Sequence, residues 1–365
     1  IGGGAFILYY DAKTKNIYAW DGREKAPINF SESIFLNSNG KKKGFIEAVS
    51  GGLAVGVPSL VPMLEKAHEV HGNMPWNTLF DDAIKLSTEG FIVGKRLAQL
   101  SSRAPHLKNQ ETAKEYFSID NGGLREGDLK KNLEFAESLK LIRDNGSKAM
   151  LHGKLAVNIL STVIKNKSNP GVMTKNDFDF VKPVLTKPIC GNYRKWKVCG
   201  MGPPSSGGIT ILQILGILNN FELTSKNPND SEVWHLFLEA SKLAYTDRGY
   251  YIADSDFIDV PIEDMLDEKY LKERSKLIKK TSIISNPKKG KFKNDKTSHL
   301  GLDSTSEKPS TTHLSIIDKY GNALALTSSI EFMFGSGLMT SGFLLNNQMT
   351  DFSFYPKDKE GNLIA

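Results

Sequence analysis

Apolar and polar residues alternate in two pairs of short segments, one pair near each end of the chain. Residues 6–10 and 17–20 flank a turn-like polar stretch and predict a β-hairpin. Residues 312–317 and 323–329 flank a turn at 318–322 and carry the densest strand pattern in the chain, which predicts a second hairpin.

Between these hairpins, apolar residues recur every three or four positions, which is the spacing of helices with one buried face. Gly72 and Gly90 follow two of the segments and are typical of helix ends. The predicted helices cover 59–70, 76–88, 129–144, 149–165 and 209–219, and a further one passes through Trp234, Leu238 and Tyr245. Strands, then several helices, then strands again favour a layered α/β or α+β fold.

A further hairpin is predicted at 187–201, with two short strands around a turn at Gly191-Asn192. Cys190 and Cys199 flank this turn. They could form a disulfide in an oxidising compartment or remain two free buried thiols, and the sequence leaves both states open.

The composition is that of a folded chain, since 39% of the 365 residues are hydrophobic and 24% are charged. No run approaches the roughly 18 uninterrupted apolar residues that a membrane-spanning helix requires, so none of these residues is predicted to cross a membrane. The two cysteines and seven histidines show no metal-binding spacing, and we expect neither a structural metal nor a cofactor.

The net charge of +6 is concentrated in one segment. Residues 276–296 contain eight lysines and one acidic residue, which leaves the remainder of the chain nearly neutral. Such a segment could bind a nucleic acid or another anionic surface, but Phe292 is its one aromatic residue. We therefore favour a solvated segment and expect no nucleic-acid partner. Lys, Ser, Thr, Asn, Gly and Pro dominate from 283 to 310, which predicts a long mobile linker.

Hydroxyl residues stand where this linker meets the following strand, as Ser310-Thr311-Thr312-His313. Alone, a threonine at the start of a strand is ordinary, because β-branched residues favour strands. Three other motifs accompany it: Asp21-x-Arg23-Glu24-x-Ala26-Pro27, Pro203-Pro204-Ser205-Ser206-Gly207-Gly208 and Leu345-Asn346-Asn347-Gln348-Met349-x-Asp351-Phe352. Together the four motifs resemble the γ-glutamyltranspeptidase family, and the resemblance covers essentially the whole chain.

The resemblance implies an α+β fold, a four-layer αββα sandwich of the N-terminal nucleophile hydrolase type, in one composite domain. Proteins of this family are made as one inactive chain that cuts itself into a large and a small subunit. The matching cut lies between Ser310 and Thr311. Residues 1–310 would form the large-subunit region, with the linker at about 283–310, and 311–365 would begin the small subunit of a heterodimer.

The implied chemistry centres on Thr311. A threonine hydroxyl is a poor nucleophile until a base removes its proton, and the α-amino group freed by the cut supplies that base on the same residue. Ser329 stands at the position of a family threonine whose hydroxyl contacts the nucleophile. Thr312 is expected to contribute hydrogen bonding beside it, and His313 is expected to be structural.

The resemblance also implies substrate contacts. Arg23 matches the arginine that pairs with the substrate α-carboxylate, a task that suits a planar guanidinium. Gln348 and Asp351 match residues that hold the α-ammonium. Glu331 stands where the family commonly has an asparagine that contacts the α-amino group, and a carboxylate there can still bind an ammonium.

The expected function is therefore cleavage of γ-glutamyl amides such as glutathione, with water, an amino acid or a peptide as acceptor. Within the same fold, an alternative is an acylase for glutaryl or cephalosporin-type side chains, which Glu331 favours and the retained Arg23, Gln348 and Asp351 disfavour. A third alternative is a catalytically inactive binding homologue, which the intact Thr311, Thr312 and His313 disfavour.

The chain opens on Ile1 rather than on Met, and we expect it to be an internal fragment in which a signal peptide can be neither seen nor excluded. Its localisation is open, with the periplasm or the extracellular space expected if the protein is exported. By the resemblance, the oxyanion-hole glycines and the serines that help bind the α-carboxylate lie beyond Ala365. We expect the 365-residue piece alone to be inactive.

Overall fold

The computed structural model describes residues 1–292, 300–303 and 310–364. The strands are β1 Gly4–Tyr10, β2 Ile17–Gly22, β3 Phe91–Ile92, β4 Leu129–Lys130, β5 Val184–Thr186, β6 Ile189–Tyr193, β7 Trp196–Gly200, β8 Thr312–Ile317, β9 Ala323–Ser329, β10 Met339–Thr340 and β11 Phe343–Leu344.

The helices are α1 Phe45–Val49, α2 Leu60–His71, α3 Asp81–Glu89, α4 Lys95–Arg103, α5 Glu111–Tyr116, α6 Leu133–Asn145, α7 Lys148–Leu151, α8 Lys154–Ile164, α9 Gly207–Leu218, α10 Ser231–Tyr251, α11 Ile262–Met265 and α12 Glu268–Ser275. Helices and antiparallel strands thus occur together, which confirms the predicted α+β class.

The largest sheet in the described part of the chain has five strands in the order β5-β2-β1-β9-β8. Both predicted terminal hairpins are confirmed, and β8 and β9 have the predicted bounds. Their turn is closed by the Asp318 carboxylate, which accepts hydrogen bonds from the backbone N–H groups of Tyr320 and Asn322 at 2.8 and 2.9 Å. Gly321 takes the left-handed conformation there, with φ of 85°.

The chain forms two compact units. The first contains the described residues of 1–14, 20–185 and 305–354, and the second those of 15–19, 186–304 and 355–365. In the first unit, α6 and α8 bury one apolar face around Ile142, Ile159 and Val163. In the second, α9, α10 and α12 share a core that includes Ile217, Leu236 and Leu243. Both cores follow from the helical spacing of apolar residues.

Three predicted helices have different bounds in the structure. The segment predicted as 76–88 begins with a 3-10 helix at Trp76–Phe80, and α3 follows from Asp81. The segment predicted as 129–144 begins at Leu133, because 129–130 pair with β3 and the Asn132 side chain caps the helix by accepting the Phe135 N–H at 2.9 Å. The segment predicted as 149–165 is divided into α7 and α8 at His152-Gly153.

The turn predicted at Gly191-Asn192 is wrong. Both residues lie within β6, opposite Val198 and Lys197, and the chain reverses at Arg194-Lys195. Gly191 instead lies against α9, where a Cβ at this position would be 3.1 Å from Leu212 Cδ2. The helix therefore packs closely against this strand.

Cys190 and Cys199 are direct partners across β6 and β7 and form a disulfide, with their Cα atoms 4.1 Å apart. Of the two states that the sequence left open, the structure has the paired one.

Residues 293–299 and 304–309 of the predicted linker lie outside the described residues. Its first ten residues are held by α10: the Ile284 N–H donates to Glu239 at 2.7 Å, and the Gly290 N–H donates to Asp247 at 2.8 Å. In the basic segment, Lys276 pairs with Glu273 and Lys280 pairs with Glu232. These two lysines are thus partly neutralised.

Candidate active site

The strand register brings Thr311 and Ser329 together. Thr312 is opposite Ser328 in the antiparallel pair of β8 and β9, so Thr311, the residue before β8, lies beside Ser329, the last residue of β9. The Thr311 hydroxyl donates to Ser329 Oγ at 3.2 Å. Thr311 is exposed, and Ser310 immediately precedes it in the chain. An accessible hydroxyl therefore has a second hydroxyl as its neighbour.

Ser329 also holds the turn that follows β9. Its Oγ accepts the backbone N–H of Glu331 at 2.8 Å. Glu331 has a φ of 70°, a left-handed conformation that is rare for a non-glycine residue and costs about 1 to 3 kcal/mol. One serine hydroxyl thus contacts both Thr311 and a strained turn that carries a carboxylate.

The Glu331 carboxylate is partly buried and accepts a hydrogen bond from the side-chain amide of Asn347. Burial raises the pKa of Glu331 to about 7, against the effect of the Asn347 hydrogen bond, and the neighbouring Asp351 raises it further. Near neutral pH this carboxyl group therefore changes charge.

Arg23, Asp351 and Gln348 form the second part of the site. The Arg23 guanidinium makes an ion pair with Asp351, and the Gln348 amide nitrogen donates to the same carboxylate oxygen. The backbone at Arg23 is fixed by its N–H, which donates to Asp21 at 2.7 Å. Gln348 Oε1 is buried and has no hydrogen-bond partner among the described residues. It is thus a spare acceptor beside the ion pair.

Glu24 adds a third carboxyl group, for which the sequence indicated no role of its own. Its residue is 6% exposed, and burial raises its pKa to about 7, although Arg23 lowers it. The backbone approaches it closely at Gly4, where a Cβ would lie 2.4 Å from Glu24 Oε2. Apart from Asp21, which holds the Arg23 backbone, the site has one guanidinium and three carboxyl groups. Its negative charge exceeds its positive charge once Glu24 or Glu331 is ionised, which suits a cationic group on a ligand.

Asn346 is a scaffold residue that sequence reasoning missed, although it lies in a quoted motif. Its Oδ1 accepts the N–H groups of Gly56 and Gln348, both at 2.9 Å. Its Nδ2 donates to the carbonyls of Gly2 at 2.9 Å and Gly56 at 2.8 Å. A fully buried amide with all four hydrogen bonds satisfied fixes the start of the segment that carries Gln348.

The remaining predicted residues lie on β8. Thr312 is exposed beside Thr311, and its expected hydrogen bonding to the nucleophile stays a prediction. His313 is flanked by hydroxyls, with Thr327 Oγ1 at 2.8 Å from Nδ1 and Ser315 Oγ at 3.1 Å from Nε2. These contacts support its interpretation as a structural residue.

No cluster of three or more His, Cys, Asp or Glu side chains suited to a metal ion occurs in the described ranges. Likewise, no described helix has both the length and the apolar character that crossing a bilayer requires.

Comparisons with known proteins show the family to which the chain belongs. The family model for gamma-glutamyltranspeptidase matches residues 1–364. The glutathione hydrolase proenzyme of Bacillus subtilis (strain 168) is 35% identical over 363 residues, which are 98% of this chain and 61% of that protein. The chain thus spans about three-fifths of the length of this relative.

Solved structures are similar to this chain as well. Helicobacter pylori gamma-glutamyltranspeptidase matches with a TM-score of 0.77 and 31% identity, over 82% of this chain and 85% of that one. A cephalosporin acylase from Bacillus halodurans has a TM-score of 0.80 over all of this chain and 64% of its own, at 23% identity, which supports the fold alone. Both likenesses support the N-terminal nucleophile hydrolase architecture predicted above. The match of the family model to residues 1–364, together with the 35% identity to the Bacillus subtilis protein, shows that the chain belongs to the γ-glutamyltranspeptidase family.

Proposed function

We propose that the whole protein is a self-processing γ-glutamyltransferase or glutathione hydrolase with Thr311 as its nucleophile. The observation that carries this proposal is the 3.2 Å contact between the Thr311 and Ser329 hydroxyls, one hydrogen bond away from the Glu331 turn. The Bacillus subtilis relative is named a glutathione hydrolase proenzyme, which supports both the substrate and the processing.

Processing would begin with the Thr311 hydroxyl, which attacks the carbonyl carbon of Ser310. The C–O bond forms as the peptide C–N bond breaks, and the nitrogen takes up a proton and becomes the free α-amino group of Thr311. Water then hydrolyses the ester at Ser310. The product is a heterodimer whose smaller subunit begins at Thr311, with a base and a nucleophile on one residue.

Catalysis then follows the same pattern on a γ-glutamyl amide. The α-amino group of Thr311 accepts the hydroxyl proton, and Oγ1 attacks the γ-carbonyl carbon. The C–N bond breaks and the amine leaves with a proton, which yields a γ-glutamyl ester on Thr311. Water, an amino acid or a peptide then takes the γ-glutamyl group and restores the hydroxyl.

The charges around the nucleophile fit the far end of a γ-glutamyl group, which carries a carboxylate and an ammonium on the same carbon. Arg23 would bind the α-carboxylate. Asp351, the free Gln348 Oε1 and an ionised Glu331 would receive the α-ammonium. Three acceptors around one ammonium match its three N–H donors.

A glutaryl acylase is the second candidate. Ionised Glu331 and Asp351 repel a ligand that carries a carboxylate and no ammonium, and protonation of Glu331, whose pKa burial raises to about 7, weakens this repulsion. A glutaryl group has the same chain and carboxylate as a γ-glutamyl group but no ammonium. The two candidates therefore differ at one functional group.

The test is made on the full-length gene product with matched γ-glutamyl and glutaryl p-nitroanilides. We expect preferential release of p-nitroaniline from the γ-glutamyl compound, and mass spectrometry should locate a trapped acyl group on the peptide that begins at Thr311. Preferential turnover of the glutaryl compound would replace the proposal with the acylase, and absence of any label at Thr311 would reject the mechanism.

A further inference from the structure

Asn347 makes three contacts with the turn at 330–332. Its backbone N–H donates to the Ile330 carbonyl at 3.2 Å, and its side-chain Oδ1 accepts the Phe332 N–H at 2.9 Å. Its Nδ2 donates to the Glu331 carboxylate. Asn347 itself is fully buried. One residue therefore holds the turn at the backbone of Ile330, at the backbone of Phe332 and at the Glu331 carboxylate.

These contacts leave one orientation for the amide. Because Oδ1 is occupied by the Phe332 N–H, Nδ2 must face Glu331. The second proton of Nδ2 goes to Thr350 Oγ1 at 2.9 Å, and that hydroxyl donates back to the Asn347 carbonyl at 2.8 Å. The hydrogen bonds to Phe332 and Thr350 thus fix the direction in which Nδ2 points toward Glu331.

The turn needs such support because Glu331 is in the left-handed conformation, with φ of 70°. A partly buried carboxylate also needs donors to remain charged beside another carboxylate, here Asp351. Asn347 thus supports both the direction in which the Glu331 carboxylate points and its charge.

We propose that Asn347 is the positioning residue that makes the site selective for acyl donors with an α-ammonium group, acting through Glu331. The inference rests on the proposed γ-glutamyl chemistry and extends it by one residue. Asn347 does not touch the substrate in this account. Its effect is confined to donors that carry the ammonium.

A purely structural role for Asn347 makes a different prediction. Loosening of the 330–332 turn would disturb Ser329 and Thr311 and would reduce the turnover of every donor to the same extent. Comparison of γ-glutamyl and glutaryl anilides separates the two roles, since the compounds differ in the α-ammonium alone.

The experiment compares Asn347→Ala, Glu331→Gln and the double variant in the full-length protein at pH 8. KM and kcat are measured for both anilides, and the glutaryl compound is measured as a competitive inhibitor wherever its turnover is too slow. Because a hydrogen bond to a charged group is lost, Asn347→Ala should raise KM for the γ-glutamyl compound about tenfold or more. The KM of the glutaryl compound, or its inhibition constant where turnover is too slow, should change less than about threefold, as expected for an ammonium-specific effect.

The double variant isolates the contact. Without a carboxylate at 331, removal of the Asn347 amide should change the γ-glutamyl KM less than about threefold, which is the signature of coupled residues. Equal losses with both donors, or an undiminished effect in the Glu331→Gln background, would overturn the proposal.

A milder variant covers the case in which Asn347→Ala does not fold. Thr350→Val leaves Asn347 in place and removes the acceptor of its second amide proton, so a selective rise in KM of about threefold is expected. A non-selective change or no change in this variant would overturn the proposal. A wild-type protein that prefers the glutaryl compound would instead reject the proposed function itself.

Discussion

Replacement of Ser329 by alanine tests how the two hydroxyls cooperate. The change removes the acceptor of the Thr311 hydroxyl at 3.2 Å and the acceptor of the Glu331 N–H at 2.8 Å. Each hydrogen bond contributes about 0.5 to 1.5 kcal/mol, so the loss is about 1 to 3 kcal/mol. If this loss falls on the transition state, kcat/KM decreases about 5-fold to 150-fold.

Two controls sharpen this experiment. Ser329→Thr keeps the hydroxyl in a residue that strands favour, and we expect kcat/KM within about threefold of wild type. Ser328→Ala removes the neighbouring hydroxyl, which donates to the Gly4 carbonyl at 3.2 Å, and should leave kcat/KM within a similar range.

The assay is initial-rate release of p-nitroaniline from the γ-glutamyl anilide, with self-cleavage followed on gels over the same period. Thermal unfolding of each variant measures stability separately. A Ser329→Ala protein that remains within twofold of wild type, or a Ser328→Ala protein that loses as much activity, would refute the reasoning.

Three further predictions concern binding, pH and stability. Arg23→Lys keeps the charge but loses the planar guanidinium proposed to bind the α-carboxylate, and should raise KM for the γ-glutamyl anilide about tenfold, whereas an unchanged KM would contradict the assigned role. Since burial raises the pKa of Glu331 to about 7, the carboxyl is mostly protonated at pH 6 and mostly ionised at pH 8, so KM for γ-glutamyl donors should fall across this range while that for glutaryl donors does not. If KM changed equally with pH for both donors, Glu331 would not be the group that binds the α-ammonium. Cys199→Ser opens the short loop closed with Cys190 and should lower the free energy of unfolding by about 2 to 3 kcal/mol in urea titrations, and an unchanged midpoint would show that the disulfide is not stabilising.

The neighbouring positions of Thr311 and Ser329 could be predicted from sequence. The segments 312–317 and 323–329 alternate cleanly around a turn with Asp318 and Gly321, and an antiparallel hairpin then leaves a single register. The local pattern contains all the information that this pairing needs.

The side-chain network could not be predicted in this way. Asn346 joins positions 344 and 290 residues away in sequence, and no local pattern reports such contacts. The burial of Glu24 likewise depends on the close approach of Gly4. The turn misplaced at Gly191 has the same cause, because this glycine lies within β6 in close contact with Leu212 of α9 and the chain reverses elsewhere.

The measurement that tests the central claim most directly is intact mass with N-terminal sequencing of the full-length gene product and its Thr311→Ala variant. The account predicts two pieces from the unmutated protein, the smaller beginning Thr311-Thr312-His313, and one uncut chain from the variant. A single uncut chain from both proteins, or the same two pieces from both, would contradict it.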